Sequence, residues 1–180
     1  MKNTNKDPLQ EMVNKWVEAA YAGQTIDEAE FDQFRQLLDE TYKYTSFYDS
    51  EWPGFKGTGE LSIVSVDDCI EAGWGLEGDE LVEEFRGRMA CESDTFYFLK
   101  GVTADDGRWA CIVVHCVIMG QLGPVQTMEA VVTSGLEAEQ YLRDCGYLLT
   151  EGAPSGKVDT FTDEEIIELV RKARESEKQH

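Results

Sequence analysis

Apolar positions near the start of the chain recur every three or four residues. Leu9, Met12, Val13, Trp16, Val17 and Ala20 share one face at helical spacing, with Asp7 placed to cap, Pro8 at the first helical position and Gly23 at the exit. A second stripe of the same period, Phe31, Phe34, Leu38 and Tyr42, follows Thr25 and Glu28, which have capping-box spacing. Further on the period falls to two. Glu60–Val66 sets Leu61, Ile63 and Ser65 against Ser62, Val64 and Val66, the alternation of a strand. Thr95–Val102 and Arg108–Met119 flank Thr103–Gly107 and read as a hairpin.

The second arm of that hairpin is the most apolar run in the chain. Trp109, Cys111, Val113, Val117 and Met119 fall on one side; Ala110, Ile112, Val114, Cys116 and Ile118 fall on the other. A strand apolar on both faces is expected at the centre of a sheet, covered on both sides. Val125–Thr133 predicts a third meander strand, with Gln126–Val132 also compatible with a helix. Helices are predicted over Asp67–Ala72, over Asp79–Arg88 with Leu81, Val82 and Phe85 inward, and over Leu136–Asp144, which has Ser134 and Glu137 at capping-box spacing and Gly146 at its end. Glu151–Gly156 reads as a connector. Thr162 and Glu165 cap a last helix with a narrow stripe of Ile166, Leu169, Val170 and Ala173.

These elements predict an α+β fold: a single domain over 1–180, with a helical hairpin at 1–44, an antiparallel sheet of about four strands within 60–133, and C-terminal helices at 135–178. A length of 180 residues with 42% hydrophobic and 29% charged residues is enough to bury a core and is unlike a disordered chain. The polar start, Met1–Glu11, has no apolar stretch of a secretory signal, and the run at Trp109–Met119 falls short of the ~20 residues of a membrane span, so a soluble cytoplasmic protein is expected. Five cysteines (69, 91, 111, 116 and 145), an odd number with no Cys-x-x-Cys, point to buried reduced thiols.

Charge changes the picture most. Asp and Glu number 36 against 16 Lys and Arg, net −20, which should repel nucleic acid and anionic membrane surfaces, so no direct nucleic-acid or membrane binding is expected. Residues 51–94 carry 12 acids and 3 bases, net −9, so nearly half of the excess sits in 44 residues. Acids at the start of the second helix (Asp27, Glu28, Glu30, Asp32) suit the helix dipole. Glu77, Asp79, Glu80, Glu83 and Glu84 form the candidate patch, and Glu80, Glu83 and Glu84 share one helix face. A cationic partner would offset their mutual repulsion. The aromatics between Tyr42 and Phe55, with Tyr44, Phe47, Tyr48 and Trp52 as candidate anchors, either bind a protein partner or pack between helices and sheet.

Other motifs point to no chemistry. Gly73-Trp74-Gly75-Leu76-Glu77-Gly78 matches G-x-G-x-x-G in letters, but no strand directly precedes it and Asp79, Glu80, Glu83 and Glu84 follow, so a glycine loop is expected rather than a pyrophosphate cradle. Cys111 and His115 share a strand face ~13 Å apart at ~3.3 Å per residue, too far to share one metal ion. His115 is expected as a neutral, hydrogen-bonded core residue, the alternative being a general base with a distant acid. Asp105-Asp106-Gly107 is turn chemistry before it is a cation site. Leu136–Leu148 resembles the late helix of GNAT acetyltransferases, in which an Ala-x-x-x-Tyr-type helix precedes a final strand. That resemblance implies an acyltransferase using acetyl-CoA, although the family's Q/R-x-x-G-x-G/A loop has no counterpart at Gln121-Leu122-Gly123-Pro124.

The expectation is therefore a non-enzymatic acidic binding protein: a nucleic-acid mimic that inhibits a basic DNA- or RNA-binding partner, in the manner of antirestriction or anti-CRISPR proteins. It would use no catalytic residue, metal or cofactor. The alternatives are the GNAT-like acyltransferase and an acidic scaffold or assembly subunit.

Overall fold

Strand β3 (Trp109–Ile118) is hydrogen-bonded on both edges, to β2 (Thr95–Thr103) and to β4 (Pro124–Val132), both antiparallel. This is the central strand that its two apolar faces predict: Ala110, Cys111, Ile112, Val113 and Val114 are completely buried. The computed structural model describes residues 7–42, 55–91, 95–118, 121, 124–151, 153 and 155–180, excepting the side chains of residues 28, 35, 38–42, 55–62, 95, 96, 98, 116, 118, 124–126 and 151. Among the described residues the chain order is α1 (Pro8–Tyr21), α2 (Glu28–Tyr42), β1 (Phe55–Ser65), α3 (Val66–Ala72), α4 (Gly78–Met89), β2, β3, β4, α5 (Gly135–Asp144), β5 (Tyr147–Glu151) and α6 (Asp163–Glu177). The fold is α+β, as expected, and the strand pairings described, β2–β3, β3–β4 and β1–β5, are all antiparallel. The chain divides into two compact units, Met1–Glu60 with Thr95–Ala138 and Leu61–Asp94 with Glu139–His180.

In the first unit, the face of the three-stranded sheet carrying Ala110, Ile112, Val114 and Met128 packs against α1 and α2 through Leu9, Val13, Trp16, Val17, Phe31 and Phe34. The Trp16 and Phe34 rings lie 4.5 Å apart, and burying each is worth ~1.5–3 kcal/mol. Asp7 caps α1, its side chain accepting from Leu9 N at 3.0 Å. Helix α2 starts at Glu28, later than the Thr25–Glu28 spacing predicts, with Asp27 Oδ1 accepting from Ala29 N at 3.2 Å and Ile26 packed against the core.

The β2–β3 hairpin closes at Gly107, whose φ of 85° favours glycine. Asp106 Oδ1 accepts from Arg108 N at 3.0 Å, and Asp105 exchanges two 2.8 Å hydrogen bonds with the Asn14 side chain. The two carboxylates thus serve the turn. Residues 124–132 form a strand, not the alternative helix, and that strand carries a bulge: Ala130 opposes Val113 and Met128 opposes Val114, so Glu129 is the extra residue.

In the second unit the core is Val64, Cys69, Leu81, Val82, Phe85, Leu148, Ile166 and Val170, with Phe161 set edge-on to Phe85. Strand β5, absent from the expected strand set, pairs with the end of β1 at Ile63–Leu149, Val64–Leu148 and Ser65–Tyr147. The Thr162–Glu165 capping box forms at α6, with bonds of 3.2 and 2.8 Å. At α5, Ser134 Oγ accepts from Glu137 N, but the Glu137 carboxylate reaches one residue further back, to the amide and hydroxyl of Thr133. Those bonds hold its carboxyl below the usual range. The connector after β5 is pinned: buried Glu139 accepts from the amide and hydroxyl of Ser155 at 2.8 Å each, and Arg143 joins Glu139 to Asp159. No helix among the described residues is long and apolar enough to cross a membrane.

Candidate functional site

Helix α4 sorts its side chains sharply. Leu81, Val82 and Phe85 are buried. At about 100° per residue, Asp79, Glu80, Glu83 and Glu84 fall on the opposite side. All four are exposed, as is Glu77 at the N-cap, which makes no side-chain capping bond. With a rise of ~1.5 Å per residue, the four acids within the helix occupy ~8 Å of its length. The structure thus brings together the five acids singled out from the sequence.

What distinguishes this face is where the unit's arginines go. Arg86 and Arg88 flank the buried stripe of α4 on its two sides. Arg86 donates to Asp163 Oδ1 at 2.7 Å and to Phe161 O at 2.9 Å, and Arg88 donates to Asp68 Oδ2 at 3.2 Å. Arg143 serves Glu139 and Asp159, Arg171 serves Glu168 and Glu175, and Arg174 donates to two backbone carbonyls. Among the described residues none of the five patch acids makes an ion pair. Helix dipole stabilisation, ~0.3–1 kcal/mol each, accounts for Asp79 and Glu80 in the first turn. Glu83 and Glu84 lie beyond it. The candidate anchors Tyr44, Phe47, Tyr48 and Trp52 lie outside the described residues.

The glycine-rich stretch behind the patch differs from an open loop. It follows helix α3, and its amides are turned inward: Gly73 N, Trp74 N and Leu76 N donate to Ile70 O, Glu71 O and Gly73 O. Arg174 fastens it from outside through Gly73 O at 2.9 Å and Leu76 O at 2.7 Å. A phosphate cradle needs free, convergent amides, and three of these are spent on the turn.

His115 is not the fully buried, hydrogen-bonded residue expected. Its side chain is 26% exposed and its ring stacks on Tyr97 at 4.7 Å. Nδ1 lies 3.5 Å from the carboxylate of the bulge residue Glu129, while Nε2 is buried with no hydrogen-bond partner among the described residues. The bulge, which the alternation of residues 125–133 does not reveal, is what brings this acid near. Among the described residues no group of three or more His, Cys, Asp or Glu could hold a metal ion. The thiols divide: Cys69 and Cys111 are buried, but Cys91 and Cys145 are exposed, against the expectation of buried thiols. Both exposed thiols sit just past helix ends, where helical periodicity no longer assigns a buried face. Helix α5 is followed by β5, with Gly146 at φ 88° between them. The chain matches no protein-family model, no curated protein and no solved structure.

Proposed function

We propose that this chain is a non-enzymatic binding protein whose acidic α4 face, Glu77, Asp79, Glu80, Glu83 and Glu84, docks on the basic groove of a nucleic-acid-binding protein and competes with its DNA or RNA, as antirestriction and anti-CRISPR inhibitors do. The observation that carries the proposal is that these five carboxylates are exposed together while every arginine of their unit is committed elsewhere. B-DNA carries one charge per ~1.7 Å of axis. Four carboxylates over ~8 Å of helix, one per ~2 Å, approach that density. Carboxylates at this spacing steer association with a cationic cleft and make it dependent on salt. Tyr44, Phe47, Tyr48 and Trp52 are proposed to supply the apolar anchors that charge alone does not give.

Affinity capture on the immobilised full chain, eluted by a salt gradient and repeated with competing DNA and RNA, tests this. Basic nucleic-acid-binding proteins should elute at raised salt and be displaced by nucleic acid. Against the partner so named, reversing Glu80, Glu83 and Glu84 to Lys should weaken binding and flatten its salt dependence. Unchanged affinity would remove the assigned face.

A further inference from the structure

One cavity of the second unit is lined mainly by bases, in a chain whose net charge is −20. It measures about 300 Å³, and its walls are Trp74, Arg174, Glu177 and Lys178. The glycine turn after α3 supplies the indole. Trp74 N donates to Glu71 O at 3.0 Å and Leu76 N to Gly73 O at 3.1 Å, and the Trp74 side chain is left half-buried. Arg174 Nη2 donates to the carbonyls on either side of Trp74-Gly75, Gly73 O at 2.9 Å and Leu76 O at 2.7 Å. The guanidinium is thereby fixed at the turn that carries the indole, while its Nε and Nη1 donors make no hydrogen bond among the described residues. Lys178, at the C-cap of α6, follows Arg174 by four residues and lies on the same helix face. Arg86, Arg88, Arg143 and Arg171 each meet a carboxylate. Among the described residues Arg174 and Lys178 meet none, and Glu177 makes no ion pair.

We infer that this cavity binds a small aromatic anion, its ring against Trp74 and its phosphate or carboxylate on Arg174 and Lys178. Two cations against one carboxylate leave the cavity net positive. The helix dipole accounts for bases near the end of α6, but not for a cavity with an indole wall between them. Like charges four residues apart repel each other, and an anion placed between them offsets that repulsion. A guanidinium already held by two carbonyls gives up little freedom on meeting a ligand, and its planar donors suit carboxylate and phosphate oxygens. Charge alone is not enough, because a chain of −20 repels free anions. Contact with the indole supplies the remainder, so the ligand needs both a ring and a charge. Glu177 is then the acceptor for an N–H or O–H on the ligand. Ligand pockets span roughly 300–1,000 Å³. At about 300 Å³ this one suits a mononucleotide or a smaller aryl anion. The site does not depend on what the α4 acids bind.

Nuclear magnetic resonance of the full chain tests the inference. The chain has four tryptophans, and the indole N–H signal of Trp74 is identified as the one missing from Trp74→Phe. The nitrogen-15-labelled protein is titrated separately with adenosine 5′-monophosphate, benzoate, adenosine and inorganic phosphate. At least one of the two aromatic anions should move the Trp74 signal saturably, with a Kd of ~1 mM or below. Adenosine and phosphate, each lacking one part, should bind roughly tenfold more weakly or worse. A response to the nucleotide alone assigns a nucleotide site; a response to benzoate as well assigns an aryl-anion site. Lys178 is exposed at a helix end, so Lys178→Glu should leave the rest of the spectrum in place while weakening binding roughly tenfold, and Lys178→Arg should retain it. A Trp74 signal that stays fixed with both anions would overturn the inference. So would adenosine binding as well as its monophosphate, or Lys178→Glu binding as the native chain does.

Discussion

Replacing Glu83 by Lys separates a functional charge from a structural one, because stability and binding should move in opposite directions. Glu83 follows Asp79 by four residues and Glu80 by three, and both neighbours are exposed and unpaired among the described residues. Like charges at these spacings cost ~0.2–0.5 kcal/mol each, and opposite charges gain about as much. Reversal turns both contacts favourable, a swing of ~0.4–1 kcal/mol apiece, with Asp79 preceding Lys in the better order. Against this stands Arg86, three residues on, but its charge is held by Asp163 at 2.7 Å. Losing that one neighbour offsets about one of the two swings, leaving a gain of roughly 0.5–1 kcal/mol. For a chain of this size that raises Tm by ~1–4 °C. Thermal melts in ~0.01 M salt, where the Debye length is ~30 Å, should show the gain; in ~1 M salt, where it is ~3 Å, the gain should largely vanish. The same substitution should weaken capture of a basic partner. A Glu83→Lys protein that is less stable at low salt, or whose gain ignores salt, would show that this acid already has a counter-charge.

Three further outcomes follow from packing and titration. Glu139→Ala removes a buried carboxylate that satisfies the Ser155 amide and hydroxyl and meets Arg143, and should cost ~3 kcal/mol in urea unfolding; a loss below ~1 kcal/mol would mean water replaces it without penalty. Arg174→Ala frees Gly73 O and Leu76 O, and should both lower stability by ~2 kcal/mol and speed hydrogen exchange at the Gly73, Trp74 and Leu76 amides; unchanged exchange there would deny the clamp. For Cys69 the unfolded thiol loses its proton near 9, while burial holds it in the folded chain to about 11. The unfolded state therefore binds fewer protons across that window and stability falls as pH rises through it. Cys69→Ala should remove that part of the slope in alkaline denaturation, and an identical slope would contradict the assignment.

The elements were legible where one periodicity held along a stretch. Helices α1, α4 and α6 and strands β2 and β3 fall within a few residues of their expected bounds, because a stripe such as Leu81, Val82 and Phe85 has only one way to be buried. What escaped depends on contacts across the chain. Strand β5 is five residues long, too short for alternation to declare, and exists by pairing with β1. Helix α2 begins at Glu28 with Asp27 accepting from Ala29 N, and Ile26 before it packs against the core, a tertiary contact that spacing does not show. The Glu129 bulge shows only in the register between β3 and β4, so the acid beside His115 could not be named from spacing. The acidic patch was legible as residues and as a helix face. That the unit's arginines leave it unpaired was not, since Arg86 and Arg88 lie within the same dozen residues and their pairing to Asp163 and Asp68 depends on contacts across the chain.

That last point bears on what the patch can do. A surface that serves solubility alone gains from mixed charge, and this unit has the arginines to mix. Instead they are used as fasteners: Arg86 ties α4 to the residues leading into α6, Arg88 ties α4 to α3, and Arg174 ties α6 to the glycine turn. Arg86 and Arg88 pair on the flanks of α4, while Asp79, Glu80, Glu83 and Glu84 are left without an ion-pair partner among the described residues. Placement on a formed helix lowers the cost of docking such a face, because the backbone is ordered in advance and only the side chains remain to be fixed. Exposed charge by itself chiefly sets encounter rate and salt response, while lifetime comes from desolvated anchors. A partner held by α4 alone would therefore bind quickly and leave quickly, with affinity falling steeply in salt. A complex that survives high salt would place its lasting contacts on apolar side chains, with Tyr44, Phe47, Tyr48 and Trp52 the first to truncate.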